Sequence, residues 1–315
     1  MRGKRQQNQP QSWKEDYIKA FQNQTEEPVG LMEFMQRMMP DAKRNQLKSW
    51  LKYNQVMING VVTRQFDEPV NPGQWVEVNL TRPFVVFSHP RMTMIYEDDH
   101  IIVVNKGYGL LSMGTDSAHK DETAYSILKD YVKQKHPMNK IFIVHRLDRD
   151  TSGLMMFAKS IEAKEAMQHN WNNMVLSRNY VAVVEGIVEE ESGTIRSWLD
   201  ETSQFEVYST QQEGKGQLAI TRYRLLDKGH GYSLLEFSLD TGRKNQIRVH
   251  AAKELKHPIV GDRKYGAQSS PINRLALHAR SLRFAHPITK VDMNFELPVP
   301  SRFAGLVKYG KNKQK

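Results

Sequence analysis

From Thr93 onward the chain is a succession of short apolar segments separated by turns, and this pattern restricts the fold more than any other feature. MTMIYEDD, HIIVVNK, IFIVHRL, YVAVVEGIV, AITRYRLLD, YSLLEFSLD, LRFA and VDMNFEL read as strands. Helical spacing is confined to DETAYSILKDYVKQK, SIEAKEAMQHNWNNM and RKNQIRVHAAKEL. Strands outnumber helices, and links such as Lys228-Gly-His-Gly are too short for the crossover that a parallel neighbour needs. The expected fold class is therefore α+β, a mainly antiparallel sheet rather than alternating βαβ units.

The preceding residues have a different texture. Val29 to Met39 is apolar at helical spacing, and AKRNQLKSWLKYN puts Leu47, Trp50 and Leu51 on one face with Lys43, Arg44, Lys48 and Lys52 off it. VMINGVVTRQF reads as two strands about Asn59-Gly60, and Trp75 to Leu80 alternates apolar with polar. TRPFVVFSHPRM, with two prolines, reads as a linker. A chain of 315 residues accommodates two such domains. The expected organisation is a disordered basic tail over 1–27, a small domain over 28–81, a linker over 82–92, the larger domain over 93–302 and a basic tail over 303–315.

Lys+Arg 45 against Asp+Glu 35 leaves a net charge of +10, which favours a polyanionic partner, nucleic acid first, although surface lysines also serve plain solvation. The absence of cysteine excludes thiol nucleophiles and thiolate-bound zinc and fits a cytoplasmic chain. No apolar run approaches the ~18 residues of a membrane span, and the opening MRGKRQQNQPQSWK lacks a secretory apolar region. No G-x-x-x-x-G-K-[ST] phosphate loop, complete G-x-G-x-x-G or G-x-S-x-G elbow is present.

One stretch carries chemistry. IFIV reads as a buried strand that runs into HRLDRDTSG, so Asp148 is expected where a strand opens into a loop at a cavity edge. On this stretch alone the aspartate could equally form a surface ion pair with Arg146 or Arg149. A metal held by His145 and Asp148 is disfavoured by the flanking arginines. Downstream, TGRKNQIRVHAA opens a helix with Arg243, Lys244, Gln246, Arg248 and His250 in its first turns, poor core material but suited to an anion. SRNYVAVVEG places Tyr180 at the head of a strand.

Together these stretches resemble the RluA family of pseudouridine synthases. HRLDRDTSG is similar to the family's catalytic motif and RNYVAVVEG to its tyrosine motif. TGRKNQIRVH, HPIVGDRKYG and LHARSLRFAHPIT resemble its third motif and C-terminal signature. The resemblance spans roughly Ile95 to Pro300. One departure is the opening N-K-P-A-G-L, which stands here as Asn105-Lys-Gly-Tyr-Gly-Leu, with Met113-Gly114 where a His-Pro often follows. The small domain, with its basic helix, VMING and PVNPGQWVEV, resembles the S-four-type RNA-binding domain, except that Asn54-Gln55 replaces a glycine before the first strand.

The resemblance implies a pseudouridine synthase domain with a small α/β RNA-binding domain before it, isomerising uridines already inside an RNA chain. Asp148 would be the catalytic carboxylate, kept ionised by Arg248, since a nearby opposite charge favours the charged form. Tyr180 would stack on the uracil and assist removal of its C5 proton, Ile247 would pack on the base, and Arg146 would fill the space that the base leaves. His145, Arg149, Thr151, Arg243, Gln246 and His250 would contact substrate, and Lys43, Arg44, Lys48 and Lys52 the RNA backbone. No metal or cofactor is implied. Large-subunit ribosomal RNA is the expected partner, transfer RNA the alternative, with no membrane, no obligate protein partner and a monomeric chain. Two rival classes are a silent RNA-binding protein of the same fold and a two-carboxylate hydrolase, which product analysis separates from a synthase.

Overall fold

Asn59 and Gly60 both take positive φ, 46° and 78°, as a two-residue hairpin whose twist matches its strands requires. They join β3 (Val56–Ile58) to β4 (Val61–Val62). Around this hairpin the computed structural model, which describes residues 17–114, 122–204 and 206–310, places β1 (Ile18–Gln22), β2 (Val29–Gly30), α1 (Leu31–Met38), α2 (Arg44–Lys52), β5 (Pro69–Val70) and β6 (Trp75–Asn79). The sheet order is β1-β6-β3-β4, and β2 pairs with β5. Leu31, Phe34 and Met35 of α1 and Leu47, Trp50 and Leu51 of α2 form the core with Val56, Val76 and Val78. Lys43, Arg44, Lys48 and Lys52 stay exposed on the far face of α2. Asn54 follows α2 with φ 59°, and asparagine is one of the few side chains tolerated in that left-handed conformation, so it can stand in for the expected glycine.

The chain divides into two units, Met1–Val86 and Phe87–Lys315. Part of the expected N-terminal tail is ordered. Residues 18–22 pair with β6 from Ile18↔Asn79 to Gln22↔Trp75 and satisfy an edge that would otherwise lie open. This strand is mostly exposed, held by backbone pairing, so it carries little apolar signal.

The larger unit contains β7 (Met92–Glu97), β8 (Ile101–Lys106), α3 (Ala124–Lys135), β9 (Phe142–Ile143), β10 (Ser152–Ala158), α4 (Ile161–His169), α5 (Trp171–Met174) and β11 (Val175–Glu185). These are followed by β12 (Ser192–Glu201), β13 (Val207–Thr210), β14 (Gln217–Gly229), β15 (Tyr232–Leu239), α6 (Gln246–Val249), β16 (Leu277–Ala285), β17 (Asp292–Glu296) and α7 (Ser301–Tyr309). The sheet runs β13-β12-β14-β15-β11-β16-β10-β8-β7, with β17 also on β16 and β9 on β10. Its pairs are antiparallel except β10 with β16.

That parallel pair positions everything else. Ala279 of β16 is opposite Gly153 of β10 on one side and Tyr180 of β11 on the other. A Cβ on Gly153, which has φ 117°, would lie 2.2 Å from the Ala279 carbonyl oxygen, so only glycine permits the approach. The expected strand IFIVHRL shrinks to Phe142–Ile143, because both the amide and the carbonyl of Leu147 are taken by the Ser112 hydroxyl rather than by a neighbouring strand. The strand buried along its whole length is β10, so Asp148 lies just before a buried strand and beyond the short β9.

The helix expected over RKNQIRVHAAKEL is α6, running into a π-helical turn at His250–Glu254. The expected basic tail after residue 302 contains α7 up to Tyr309. Its Phe303, Leu306 and Val307 are buried against the β11–β15 core, each contributing about 1.5–3 kcal/mol.

Candidate active site

The loop bearing Asp148 is held from beneath by the segment that departs from the family pattern. Lys106, fully buried at the end of β8, donates from Nζ to the carbonyls of Leu110 at 2.8 Å, Gly107 at 3.0 Å and Arg149 at 3.2 Å. Burial pushes its ammonium down to about 8. Ser112 fixes Leu147 at 2.7 and 3.1 Å. Gly107 occupies the place of the family's proline, and its amide donates to the Arg91 carbonyl at 2.7 Å, a bond no proline could make. The loop closes with a Thr151 amide bonded to the Asp148 carbonyl.

Above this base lies a cleft open to solvent. Asp148 and Arg146 enter it from the loop, Tyr180 and Arg178 from β11, Arg243 from the turn before α6, and Ile247 and Arg248 from α6 itself. Leu239, Leu277 and Ile247 give it apolar walls. Arg248 Nη1 lies 3.6 Å from Asp148 Oδ2. The guanidinium is anchored elsewhere: its Nε and Nη2 donate to both oxygens of buried Asp262 at 2.7 and 2.8 Å, and Nη1 donates to Asn245 Oδ1 at 3.0 Å. Its Cζ is 5.1 Å from the centroid of the Tyr265 ring. Burial disfavours the guanidinium's charge, but the bonds and charge of Asp262, with that of Asp148, outweigh it and raise the pKa. A fixed cation thus faces Asp148 without being consumed by it. Burial also raises the Tyr180 phenol, opposed by the charge of Arg178 and reinforced by that of Asp148, so Tyr180 is neutral near pH 7.

The expected residues separate into three groups. Asp148, Arg146, Thr151, Tyr180, Arg243, Ile247 and Arg248 converge on the cleft. Gln246 borders it, but its side chain is spent: Oε1 accepts from Thr241 and the Arg243 amide, and Nε2 donates to Ile220 and Thr221. His145, Arg149 and His250 do not line it. His145 Nε2 accepts the Met156 amide at 2.9 Å while its ring packs on Trp171, and burial pushes it down to about 3. His250 is fully buried between Thr221 and Ser197 at 2.8 and 3.0 Å and is pushed down by burial to about 4. Arg149 turns its side chain to solvent and gives Lys106 its carbonyl. His145 and His250 therefore brace the elements that carry the site. Sequence reading did not single out Lys106, Ser112, Arg178, Asn245 or Asp262. Asp262 stands inside HPIVGDRKYG, but nothing in that stretch points fourteen residues back to Arg248.

A family model described as RNA pseudouridylate synthase matches residues 100–253, which carry Asp148, Tyr180 and Arg248. The ribosomal large subunit pseudouridine synthase D of Xylella fastidiosa is 31% identical over 318 residues, covering 93% of each chain. The chain belongs to the RNA pseudouridylate synthase family. A Bacillus subtilis relative named as an uncharacterized RNA pseudouridine synthase, YlyB, is 33% identical over 92% of this chain and 96% of its own. The solved human RNA pseudouridylate synthase domain containing 4 shares the fold, with a TM-score of 0.55 at 24% identity, over 67% of this chain and 90% of that one. The synthase is thus of the RluA type, an RNA-modifying isomerase whose sheet is mainly antiparallel.

Proposed function

We propose that this RNA pseudouridine synthase isomerises one or a few uridines of large-subunit ribosomal RNA, with Asp148 as its catalytic carboxylate. The observation that carries the assignment of Asp148 is its place with Tyr180 in the lining of one cleft, 3.6 Å from an arginine that Asp262 holds in position. Support for the substrate comes from relatives named for the ribosomal large subunit that match nearly the whole chain.

In this reading the target nucleotide leaves its stack at a cost of a few kcal/mol. Arg146, exposed at the mouth of the cleft, occupies the vacated space. The uracil lies between the Tyr180 ring and Ile247. The N1–C1′ bond breaks, the base turns, C5 joins C1′, and the proton lost from C5 is balanced by one gained at N1. Asp148 supplies the carboxylate that this sequence needs, and Arg248, 3.6 Å away, orients it. Tyr180, being neutral, serves as a hydrogen-bonding relay beside C5 rather than as a phenolate. The first unit acts as an S-four-type RNA-binding module through Lys43, Arg44, Lys48 and Lys52, and the chain works as a monomer.

Carbodiimide-dependent reverse-transcription stops on total RNA test the reading, comparing cells with the intact gene, with the gene deleted and with Asp148→Ala. We expect one or a few stops in large-subunit ribosomal RNA to vanish in both altered strains. Loss confined to transfer RNA would refute the substrate, and survival of every stop in Asp148→Ala would refute the role of the carboxylate.

A further inference from the structure

Arg178 stands on β11 two residues before Tyr180, and its side chain borders the cleft. It is partly buried and fixed on two sides. Its Cζ lies 5.6 Å from the centroid of the Trp171 ring. On the other side, a Cβ added to Gly242 would come within 2.6 Å of its Nη1, so the Thr-Gly turn leaves out a side chain where the guanidinium rests. Among the described residues no carboxylate lies within ion-pair distance of it, whereas Arg248 is matched by Asp262 and Asp148.

A cation withdrawn from water is costly unless an anion compensates it. The other arginines of the cleft are differently placed. Arg243 spends its Nε on the Leu218 carbonyl at 3.1 Å, and Arg146 is exposed at the mouth. The charge of Arg178 also reaches the Tyr180 phenol, whose rise it opposes. It therefore sits beside the ring on which the base would lie. A nucleotide that swings out of its stack pivots on its own backbone, and a guanidinium can hold two phosphate oxygens at once.

We propose that Arg178 clamps a phosphate flanking the target uridine and thereby positions the extruded nucleotide over Asp148. The inference rests on the proposed roles of Asp148 and Tyr180. Those roles are checked first on the same RNA, by conversion with the wild-type chain and its loss in Asp148→Ala.

The test uses ribosomal RNA assembled by ligation with a neutral methylphosphonate on the 5′ or the 3′ side of the mapped uridine. A charge-assisted contact predicts that one of the two substitutions lowers kcat/KM of the wild-type protein by about 10- to 100-fold. Arg178→Met should lose a similar factor on native RNA and less than about threefold more on the neutral one. Arg178→Lys should recover part of the loss, since a point charge still attracts phosphate. Equal conversion of both methylphosphonate RNAs by the wild-type protein would overturn the proposal without requiring any variant to fold. So would losses from Arg178→Met and the neutral linkage that multiply.

Discussion

Replacing Asp262 with asparagine tests whether Arg248 is held by a partner outside the cleft. Asp262 is 2% exposed and takes both Arg248 bonds at 2.7 and 2.8 Å, so the variant sets an amide NH2 against a guanidinium N–H and removes the nearer of the two carboxylates that compensate a buried cation. Removing one partner of a buried pair costs about 3–5 kcal/mol, and a domain of this size melts roughly 2–4 °C lower per kcal/mol. The expected fall in Tm is thus about 6–20 °C, towards the lower end because asparagine keeps one acceptor. Arg248, freed from Asp262, should turn from its 3.6 Å separation into direct contact with Asp148. Weakening a bond to a charged group by about 1.5–3 kcal/mol corresponds to roughly a 10- to 150-fold slower single-turnover rate. RNA affinity should stay within about twofold, because Asp262 does not border the cleft. A melting curve, a single-turnover assay and the double variant Asp262→Asn with Arg248→Met complete the cycle. A melt within about 2 °C of wild type with an unchanged rate would refute the anchoring role, as would a cycle additive within ~0.5 kcal/mol.

Lys106→Met keeps an unbranched side chain one atom shorter but removes the donors to Gly107, Leu110 and Arg149. The buried Leu110 carbonyl alone should cost about 1–3 kcal/mol, and turnover should fall while RNA affinity holds; an unchanged rate would show that the loop needs no such tie. His250 binds its proton near 4 when folded but near the ordinary ~6.5 when unfolded, so its contribution is complete above ~6.5 and is lost as pH falls towards 4. Unfolding free energies from urea titration should drop across that window, by up to ~1.4 kcal/mol per pH unit for this group, and His250→Gln should make the profile shallower, with His145 and His278 carrying the remainder; an equally steep profile in the variant would exclude His250 as a source. Changing Lys43, Arg44, Lys48 and Lys52 together to glutamine should reduce the salt slope of RNA binding by nearly 3, at about 0.7 per phosphate contact. A slope that stays as steep would remove the α2 face from the interface.

The elements legible in the sequence are those whose apolar spacing and boundary residues agree. α3 follows Thr123, which bonds reciprocally with Ser126, and α4 follows Ser160, whose hydroxyl accepts the Ala163 amide. β12 and β13 were not foreseen, since SGTIRSWLDE alternates weakly and VYST is only four residues long. β1 was hidden because a backbone ladder, not a buried face, holds it. IFIV misled for the opposite reason. It is apolar enough for a strand, but Ser112 captures the backbone at Leu147, and a hydroxyl 35 residues away leaves no local trace.

The site divides along the same physical line. Asp148, Tyr180 and Arg248 were reached through motifs, and the cleft brings all three together. His145 and His250 stand in the same motifs yet turn inward, because position in a motif does not fix which way a side chain points. His250 opens a π-helical turn, and its ring lies between Ser197 on β12 and Thr221 on β14. Asp262 and Lys106 act only through partners that the fold supplies, satisfying a buried charge or a loop carbonyl rather than meeting the cleft, while Asn245 borders the cleft and accepts from Arg248. The groups that shape the cleft are therefore of two kinds. One kind is fixed by local sequence, as with the Thr-Ser-Gly that sets β10 against β16. The other becomes visible only once burial shows which charges need an opposite and which, like Arg178, have none at ion-pair distance among the described residues.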